Sequence, residues 1–519
     1  MSIKNNTTLF IVIAAIIIIG GAILFDRQSG NIKNASGIFS ADVSGLSEAI
    51  RSETVELSDG DAYDLAAAYV TKEIGGKRQT MLAYNGSIPG PTIRVPQGAE
   101  VTINFKNNTD LPALLHSHGV RMDNAFDGSQ LQQEEMKPGE SFAYKLKFPD
   151  AGIYWYHPHV KEVFEQPLGL YGAFIVTPSD PKYFPPVNRE MPLFLSDLPV
   201  KNGVIALDKD KTRGALMGNY GNVMLTNGEE NYTIPASARE TMRLYVVNAA
   251  NVRPFNFSIK GLKMKLVGGD SGAYEKASFV ESVLLAPSER AIVDVFMSEE
   301  GTYEIQNKTP EKTYTLGSIS AGGGIADVSY EKEWNTLSQN DAVRKSIDRF
   351  RAYFDWPHQR RITLSVDFFG GMQNMMGGMM MMGPSRDGIE WEDDMAMMND
   401  ISTLESVKWH IVDQDTGKQD MGIDDWTFKK GEPVKIRIEN NPNSAHPMQH
   451  PIHFHGQRFL VVARDGVLQT NLVWKDTVLV RSGEIVDILL DASNPGNWMA
   501  HCHIAEHLEA GMMIGFKVE

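Results

Sequence analysis

A single cysteine, Cys502, lies between two histidines near the C-terminus. Because it is the only cysteine, it cannot form a disulfide within the chain. His507 and Met512 follow within ten residues, and a thiolate, two imidazoles and a distant thioether are the ligands of a blue-copper electron-transfer site. A buried structural cysteine is a common alternative, but it does not explain the surrounding histidines and methionine. The spacing therefore predicts a copper site, and the segment His450-Pro-Ile-His453-Phe-His455 is the obvious source of its second imidazole.

The elements that must position these residues follow a strand pattern that occurs three times. Apolar and polar residues alternate, as in a half-buried strand, at residues 101–107, 242–248 and 434–440. A second alternating stretch follows a Pro or Gly turn downstream of each, at residues 142–146, 291–295 and 485–489. Self-similarity at this spacing predicts an all-β protein made of three copies of one β-sandwich. The predicted division is an N-terminal segment and linker at 1–50, followed by domains at 51–178, 179–345 and 346–519.

Histidine pairs occupy equivalent places in the first and third repeats. The first repeat contains His116-Ser-His118 and His157-Pro-His159, and the third contains His453-Phe-His455 and His501-Cys-His503. The second repeat has Phe255-Asn256-Phe257 and residues 302–305 at these places, with no histidine. Alternate residues of a strand point to opposite faces, so each pair would direct its imidazoles to different metals or to opposite sides of a cluster. Eight histidines from two domains predict a site between those domains.

Together these motifs resemble the three-domain multicopper oxidases. The similar segments are residues 85–93, His116-Ser-His118-Gly119, Trp155-Tyr-His157-Pro-His159, the 450–456 stretch and His501-Cys-His503-x₃-His507-x₄-Met512. The resemblance runs from about residue 55 to the end and is strongest to the bacterial cuprous oxidases and laccase-like enzymes. It implies three cupredoxin-like Greek-key domains. It also implies an enzyme that couples one-electron oxidation of a donor to four-electron reduction of O₂ to water.

The resemblance also implies four copper ions and a ligand set for each. Type 1 copper would be bound by His450, Cys502, His507 and axial Met512, and type 2 copper by His116 and His453. One type 3 copper would be bound by His118, His157 and His503, and the other by His159, His455 and His501. His358, His410 and His446 are left over, and we expect them to be surface or core histidines.

Three carboxylates are candidates for proton delivery to oxygen. Asp127 lies nine residues after His118, where the family has an acid facing the solvent channel, although Asp127-Gly128 is also a common turn dipeptide. Many bacterial relatives have an acid directly after the second type 1 histidine, but this chain has Leu508 there, as fungal laccases do. Glu506 and Glu509 flank this stretch and are the other candidates.

A methionine-rich segment interrupts the third repeat. Ten of the chain's 25 methionines lie between residues 372 and 398, interleaved with glycines. Dense glycine predicts that no stable helix forms here. A disordered insert is one interpretation, and a Cu(I)-binding surface is the other, because thioethers select soft Cu(I). Cuprous oxidases have a similar insert near the type 1 site, so Met372, Met375, Met376 and Met448 are candidate ligands for substrate Cu(I). Phenols and aromatic amines are the alternative donors.

The net charge of the protein limits its possible partners, and the N-terminal sequence indicates its location. A net charge of −16 argues against a nucleic-acid partner, which requires a positive surface. Residues 9–25 are uncharged and rich in isoleucine, as in a signal peptide or a membrane anchor. We therefore expect an exported monomer, in the periplasm or at the outer face of the cytoplasmic membrane, with membrane contact only through the N-terminus. A copper-free structural relative would not need the complete ligand set, and a copper-storage or electron-carrier protein would leave eight histidines unexplained.

Overall fold

The structure, a computed structural model, describes residues 43–379 and 387–519, and for residues 377–379 the backbone alone. Within this part of the chain 48% of residues lie in strands and 9% in helices, which confirms the predicted all-β class. The predicted N-terminal hydrophobic helix concerns residues 9–25, which lie outside the described residues. Among the helices that are described, none is long and apolar enough to cross a membrane.

The first unit carries the first two histidine pairs. Its elements are β1 (Thr54–Glu56), β2 (Ala62–Ile74), β3 (Lys77–Tyr84), β4 (Thr92–Pro96), β5 (Glu100–Asn107), β6 (Leu115–His118), a 3₁₀ turn (Asn124–Phe126), β7 (Ser141–Lys147), β8 (Gly152–Pro158), helix α1 (Glu162–Glu165) and β9 (Gly172–Thr177). One sheet has the order β1-β4-β9-β8-β6, and the other has the order β3-β2-β5-β7. The histidine-bearing strands β6 and β8 are antiparallel neighbours, which puts His116 opposite His157.

The second unit follows without any histidine. Its elements are β10 (Arg189–Leu198), β11 (Val200–Lys201), β12 (Val204–Ile205), β13 (Val223–Thr226), β14 (Tyr232–Ala238), β15 (Thr241–Asn248), β16 (Phe255–Ile259), β17 (Met264–Gly269), β18 (Gly272–Val280), β19 (Val283–Leu285), β20 (Arg290–Phe296), β21 (Gly301–Lys308), β22 (Thr313–Ile325), α2 (Glu331–Asn335), α3 (Asp341–Asp348) and a 3₁₀ turn (Arg351–Tyr353). The main sheets have the orders β13-β10-β15-β20-β17-β18 and β14-β22-β21-β16-β19. Helix α3 spans the domain boundary that we predict after residue 345.

The third unit contains the cysteine and the remaining histidine pairs. Its elements are β23 (Arg360–Phe368), α4 (Gly370–Met379), α5 (Ala396–Ile401), β24 (Val407–Asp413), a 3₁₀ turn (Asp420–Gly422), β25 (Thr427–Phe428), β26 (Glu432–Asn440), β27 (His450–Phe454), β28 (Arg458–Arg464), β29 (Val467–Leu468), β30 (Thr477–Val480), β31 (Ile485–Ala492), β32 (Gly496–Cys502), α6 (Ala505–Glu509) and β33 (Met513–Val518). The sheets have the orders β24-β23-β26-β31-β28-β29 and β25-β33-β32-β27-β30. Strands β27 and β32 are neighbours, which puts His453 opposite His501.

The repeated sequence pattern corresponds to one antiparallel strand pair in each unit. These pairs are β5 with β7, β15 with β20, and β26 with β31. Buried and exposed residues alternate in β5 as predicted, whereas β15 is buried along its whole length. The reason is that the polar face of β15 is covered as well. There Arg243 pairs with Asp294 of β20 (Nε to Oδ1, 2.8 Å) and lies over the ring of Phe184.

The hydrophobic core of the first unit continues into both of the others. Its cluster of buried side chains includes Phe194 from the second unit and Trp474 from the third. Burying apolar surface between units is favourable in proportion to the area removed from water. The first and third units are therefore held against each other, with their histidine-bearing strands close together.

Residues Gly370–Met379 form helix α4, so the prediction that dense glycine excludes a helix here is wrong. Met372 and Met376 lie one turn apart, are 4% and 6% exposed, and belong to the core cluster of the third unit. Burying a methionine side chain contributes about 1.5–3 kcal/mol, whereas an interior glycine costs about 1 kcal/mol relative to alanine. Packing of these two side chains therefore outweighs the low helix propensity of Gly377 and Gly378.

Candidate metal centres

Ten buried histidines and Cys502 converge in two places. Eight imidazoles from β6, β8, β27, β32 and the residues just after them meet between the first and third units. Ligand atoms lie within 4.8 Å of one another in three groups of the described residues, of which the first two share His118: His116/His118/His453, His118/His157/His503 and His159/His455/His501. The equivalent strand of the second unit, β16, buries Phe255 and Phe257 in its own core. That unit contributes no imidazole to the cluster.

Most rings of this cluster are oriented by a hydrogen bond from Nδ1 to an oxygen. The acceptors are the carbonyls of Asp127 for His116 (2.7 Å), Pro158 for His157 (2.8 Å), Asp476 for His453 (2.9 Å) and Cys502 for His501 (2.8 Å), the Asp127 carboxylate for His455 (2.9 Å) and the Gln130 side chain for His159 (3.1 Å). A neutral imidazole has one N–H, so each Nε2 keeps its lone pair. Such bonds from the outer nitrogen to a protein oxygen are typical of metal-ligating histidines.

The inner nitrogens have no protein partner that could satisfy them. Within the described residues, Nε2 of His116, His157 and His453 is buried without a hydrogen-bond partner. Nε2 of His455 lies 2.9 Å from that of His501 and 3.3 Å from that of His159. Burial lowers the pKa of every one of these rings, that of His116 to about 3, and neighbouring imidazoles lower it further for all of them except His455. Neutral, convergent and otherwise unsatisfied imidazoles fit bound copper ions, which imidazole ligands suit.

His118 and His503 lack such a bond from Nδ1; neither ring nitrogen of His503 has a partner among the described residues, whereas a network reaching the second unit orients His118. Its Nε2 donates to Asp476 Oδ1 (3.0 Å), which leaves Nδ1 facing the cluster without a partner. Arg290 holds Asp476 with Nη1 to Oδ1 (2.6 Å) and Nη2 to Oδ2 (2.5 Å), and its Nε donates to the Ile153 carbonyl (3.1 Å). The guanidinium of the second unit thus joins the first unit to a carboxylate of the third. Gly119 makes room for this pair, because a Cβ there would lie 2.3 Å from Asp476 Oδ2.

The second centre surrounds Cys502. Its Sγ lies 3.6 Å from His450 Nδ1 and 3.9 Å from His507 Nδ1, and these two nitrogens are 3.3 Å apart. Met512 is buried, and its backbone makes hydrogen bonds to His507 and Cys502. Its N–H donates to the His507 carbonyl (3.0 Å), and its carbonyl accepts from Cys502 N–H (3.1 Å). The structure therefore brings together the residues assigned to type 1 copper by resemblance.

The environment of Cys502 is apolar, and burial raises the pKa of its thiol. A bound cation reverses this, since a coordinating thiol is deprotonated outright. Trp409 covers the centre from one side, stacked on His507 at 4.1 Å between ring centroids. Its indole N–H donates to the carbonyl of Ala215 (2.8 Å). A loop of the second unit, residues 206–222, thus lies over the cysteine centre.

Asp127 lies against the eight-histidine cluster, as its predicted role requires. It is fully buried, its carboxylate accepts from His455 through Oδ2, and its Oδ1 has no hydrogen-bond partner among the described residues. Burial raises the pKa of this carboxyl. An acid with one unused oxygen at the edge of the cluster can hold a proton there.

The other two predicted acids are placed differently. Glu506 Oε1 accepts from the backbone N–H (3.0 Å) and side-chain amide (2.6 Å) of Asn219, and burial raises its pKa to about 7. Glu509 accepts a hydrogen bond from Thr212. Both partners belong to the 206–222 loop. In the described part of the chain, these acids hold that loop and make no hydrogen bond or ion pair with the cluster imidazoles.

A further acid, Glu162, was missed by sequence reasoning. Its Oε1 lies 3.5 Å from His159 Nδ1, and burial raises its pKa well above the usual range. With His159, Leu508 and Glu509 it lines a cavity of about 230 Å³ beside the cluster. Its position in the sequence, three residues after His159, could have identified it as an acid near the cluster. Asp476 and Arg290 were also missed, and no local motif marks either residue.

The candidate substrate methionines are mostly buried. Met448 is fully buried, Met372 and Met376 are nearly so, and only Met375 among the four is substantially exposed, at 45%. Of the leftover histidines, His358 pairs with Asp487 and His410 with Asp420. His446 is buried, with Nε2 only 2.9 Å from the sulfur of Met217.

The chain is similar to known proteins both in sequence and in structure. Three sequence families, each described as multicopper oxidase, match residues 66–181, 191–324 and 392–519. Laccase-3 of Oryza sativa is 26% identical, with 85% of this chain and 89% of the relative covered. Copper resistance protein A of Escherichia coli is 24% identical, with 89% and 93% covered. A solved laccase-like multicopper oxidase from Ochrobactrum has a TM-score of 0.71 at 21% identity, covering 91% of this chain and all of that one.

Proposed function

Because the chain belongs to the multicopper oxidase family, we propose that it is a cuprous oxidase. In this proposal it oxidises Cu(I) one electron at a time and reduces O₂ to water, contributing to copper tolerance. Four Cu⁺, one O₂ and four H⁺ give four Cu²⁺ and two H₂O. The similarity to copper resistance protein A of Escherichia coli supports the choice of donor.

The observation that carries the proposal is the position of the methionines. Met372, Met376 and Met448 belong to the same core cluster as Cys502 and Met512. Thioethers bind Cu(I) in preference to hard cations. We propose that these thioethers pass Cu(I) from the methionine-rich segment toward the cysteine centre, a transfer that a phenol would not need.

The ligand residues determine how the two centres cooperate. When bound, copper supplies one-electron storage and the chemistry of O₂ reduction. His501 and His503 flank Cys502 in the chain, so electrons accepted at the cysteine centre cross a few covalent bonds to both sides of the histidine cluster. The carboxylate of Asp127 is proposed to hold a proton beside His455 and His116 for transfer to reduced oxygen.

Phenols and aromatic amines are the second candidate donors. The similarity to a plant laccase supports this alternative, as does Leu508 in place of an acid. The two candidates differ in the donor alone and share the copper centres and the reduction of O₂.

We also propose that the enzyme works outside the cytoplasm as a monomer. The uncharged residues 9–25 support export, with either cleavage or retention as an anchor. Clustered thioethers would be useful in such an oxidising compartment, where Cu(I) has to be carried on sulfur.

Steady-state oxygen uptake with Cu(I) and with 2,6-dimethoxyphenol tests the proposal. We expect a clear preference for Cu(I), and we expect that preference to decrease about ten-fold when Met375 and methionines 379–382 are replaced by serine. Met372 and Met376 are left intact, because they pack in the core. Met421→Ser is the matched control, since Met421 is 47% exposed on the same unit but outside the segment.

Higher kcat/KM for the phenol in the wild-type enzyme would contradict the proposal and favour the laccase alternative. Equal loss of both activities in the serine variant would show that the segment has no role specific to Cu(I).

A further inference from the structure

A thioether and an imidazole from different units meet beside the cysteine centre. Nε2 of His446 lies 2.9 Å from Sδ of Met217, and the two residues are 8% and 1% exposed. Met217 belongs to the 206–222 loop of the second unit, whereas His446 precedes β27 in the third. Neither residue is among the predicted ligands of the four coppers or of the substrate.

We propose that Met217 and His446 together bind the Cu(I) ion from which the electron is taken. The inference rests on the proposed function and identifies the binding site within it. The ligands would be one thioether sulfur and one imidazole nitrogen, which makes the second unit a contributor to substrate binding.

The donor atoms suit this ion. Thioether sulfur is a soft ligand that selects Cu(I), and imidazole binds copper as the neutral ring. Burial lowers the pKa of His446 to about 4, so the ring is neutral near pH 7 and keeps a lone pair. Two ligands about 2 Å from one metal can be up to about 4 Å apart. The unbranched methionine side chain has the rotatable bonds to open the gap.

Hydrogen bonds between the backbone at Met217 and the side chain of Asn399 hold Met217 in place. Asn399 of α5 accepts from Met217 N–H through Oδ1 (2.9 Å) and donates from Nδ2 to the Gly218 carbonyl (2.8 Å). Helix α5 contains the last two methionines of the methionine-rich segment, and Met217 shares a core cluster with Met372, Met376 and Met448. Met217 therefore packs in the same core as two methionines of that segment.

The pair lies close to the protein surface, from which the ion would enter, and close to the cysteine centre, which would accept the electron. Ala445, directly before His446, is exposed, so the imidazole lies just beneath the surface. The ring of Trp409 is 6.1 Å from that of His446 and stacks on that of His507 at 4.1 Å. Cu(I) would lose one electron toward His507 and leave as Cu(II). This electron is one of the four that, with four protons, convert O₂ to two H₂O.

The alternative is that His446 donates an N–H···S hydrogen bond to Met217 and that the pair only stabilises the loop. Binding of Ag(I) separates the two explanations, because Ag(I) is a soft monovalent ion that the enzyme does not oxidise. Silver nitrate is titrated calorimetrically into the copper-loaded wild-type enzyme and into Met217→Leu and His446→Phe. Met297→Leu is the matched control, since Met297 is a fully buried methionine of the second unit's own core.

We expect Met217→Leu and His446→Phe to bind one Ag(I) ion fewer than Met297→Leu. We also expect their KM for Cu(I) to rise at least about ten-fold more than their KM for 2,6-dimethoxyphenol. Unchanged Ag(I) stoichiometry, or unchanged KM for Cu(I), overturns the inference. A wild-type enzyme that does not oxidise Cu(I) overturns the proposed function as well, whereas Cu(I) oxidation that is insensitive to both substitutions overturns the inference alone.

Discussion

Replacing Cys502 with serine is expected to abolish the intense blue absorption and all oxidase activity while the protein still folds. The thiolate is both a ligand and the covalent link to His501 and His503, and a serine hydroxyl is too hard a ligand to take its place. The fold should persist because the smaller hydroxyl fits the same space and can accept the hydrogen bond that Ile504 N–H makes to Sγ (3.5 Å). Absorption spectroscopy, oxygen uptake and chemical denaturation measure the three effects.

Ala500→Ser is the control for placing a hydroxyl on this strand. Ala500 is 1% exposed on β32, two residues before Cys502, and is not a ligand. We expect this variant to keep its blue colour. Blue colour that persists in Cys502→Ser would contradict the assignment of the cysteine centre.

Replacing Arg290 with leucine is expected to destabilise the protein and to empty part of the histidine cluster. Arg290 is fully buried, and its removal leaves the Asp476 carboxylate without its cation. Breaking a buried ion pair in this way costs about 3–5 kcal/mol. Without Arg290 to hold it, Asp476 no longer fixes His118 with Nδ1 toward the cluster. Copper analysis and the free energy of unfolding measure both consequences.

Arg437→Leu is the matched control, because Arg437 also makes a bidentate pair, with Asp487, but is 29% exposed. Exposed pairs contribute about 0–1 kcal/mol, so this variant should retain its copper and most of its stability. Arg290→Lys keeps the positive charge but loses the bidentate hydrogen bond to Asp476. This variant therefore shows whether the charge or the hydrogen-bond geometry of Arg290 positions His118. Full copper content in Arg290→Leu would show that the middle unit has no part in positioning His118.

The repeated units and their histidine pairs could be predicted because both depend on short, local patterns. Alternation with period two identified the strand pairs, and His-x-His motifs on the strands that follow them in the chain identified the cluster. The histidines and Cys502 of the ligand sets implied by the family resemblance fall in groups whose ligand atoms lie within 4.8 Å of one another, while the axial role of Met512 stays a prediction.

Features that depend on contacts between distant segments were not predictable. The helix at Gly370–Met379 forms because Met372 and Met376 are buried against the third unit, which glycine content does not reveal. Glu506 and Glu509 are near the centres in sequence, yet they hold the loop that contains Asn219 and Thr212. The contacts of Arg290 with Asp476 and of Met217 with His446 join residues more than 180 positions apart, and no motif marks them.

The number of copper ions per chain, measured by native mass spectrometry, tests both copper centres at once. Within the described residues, the ligand atoms of the histidines and Cys502 form four groups that fit copper, so we expect four ions per wild-type chain. We expect three in Cys502→Ser, because only the cysteine centre is lost. One ion per wild-type chain, or the same number in both proteins, would contradict the assignment of these centres.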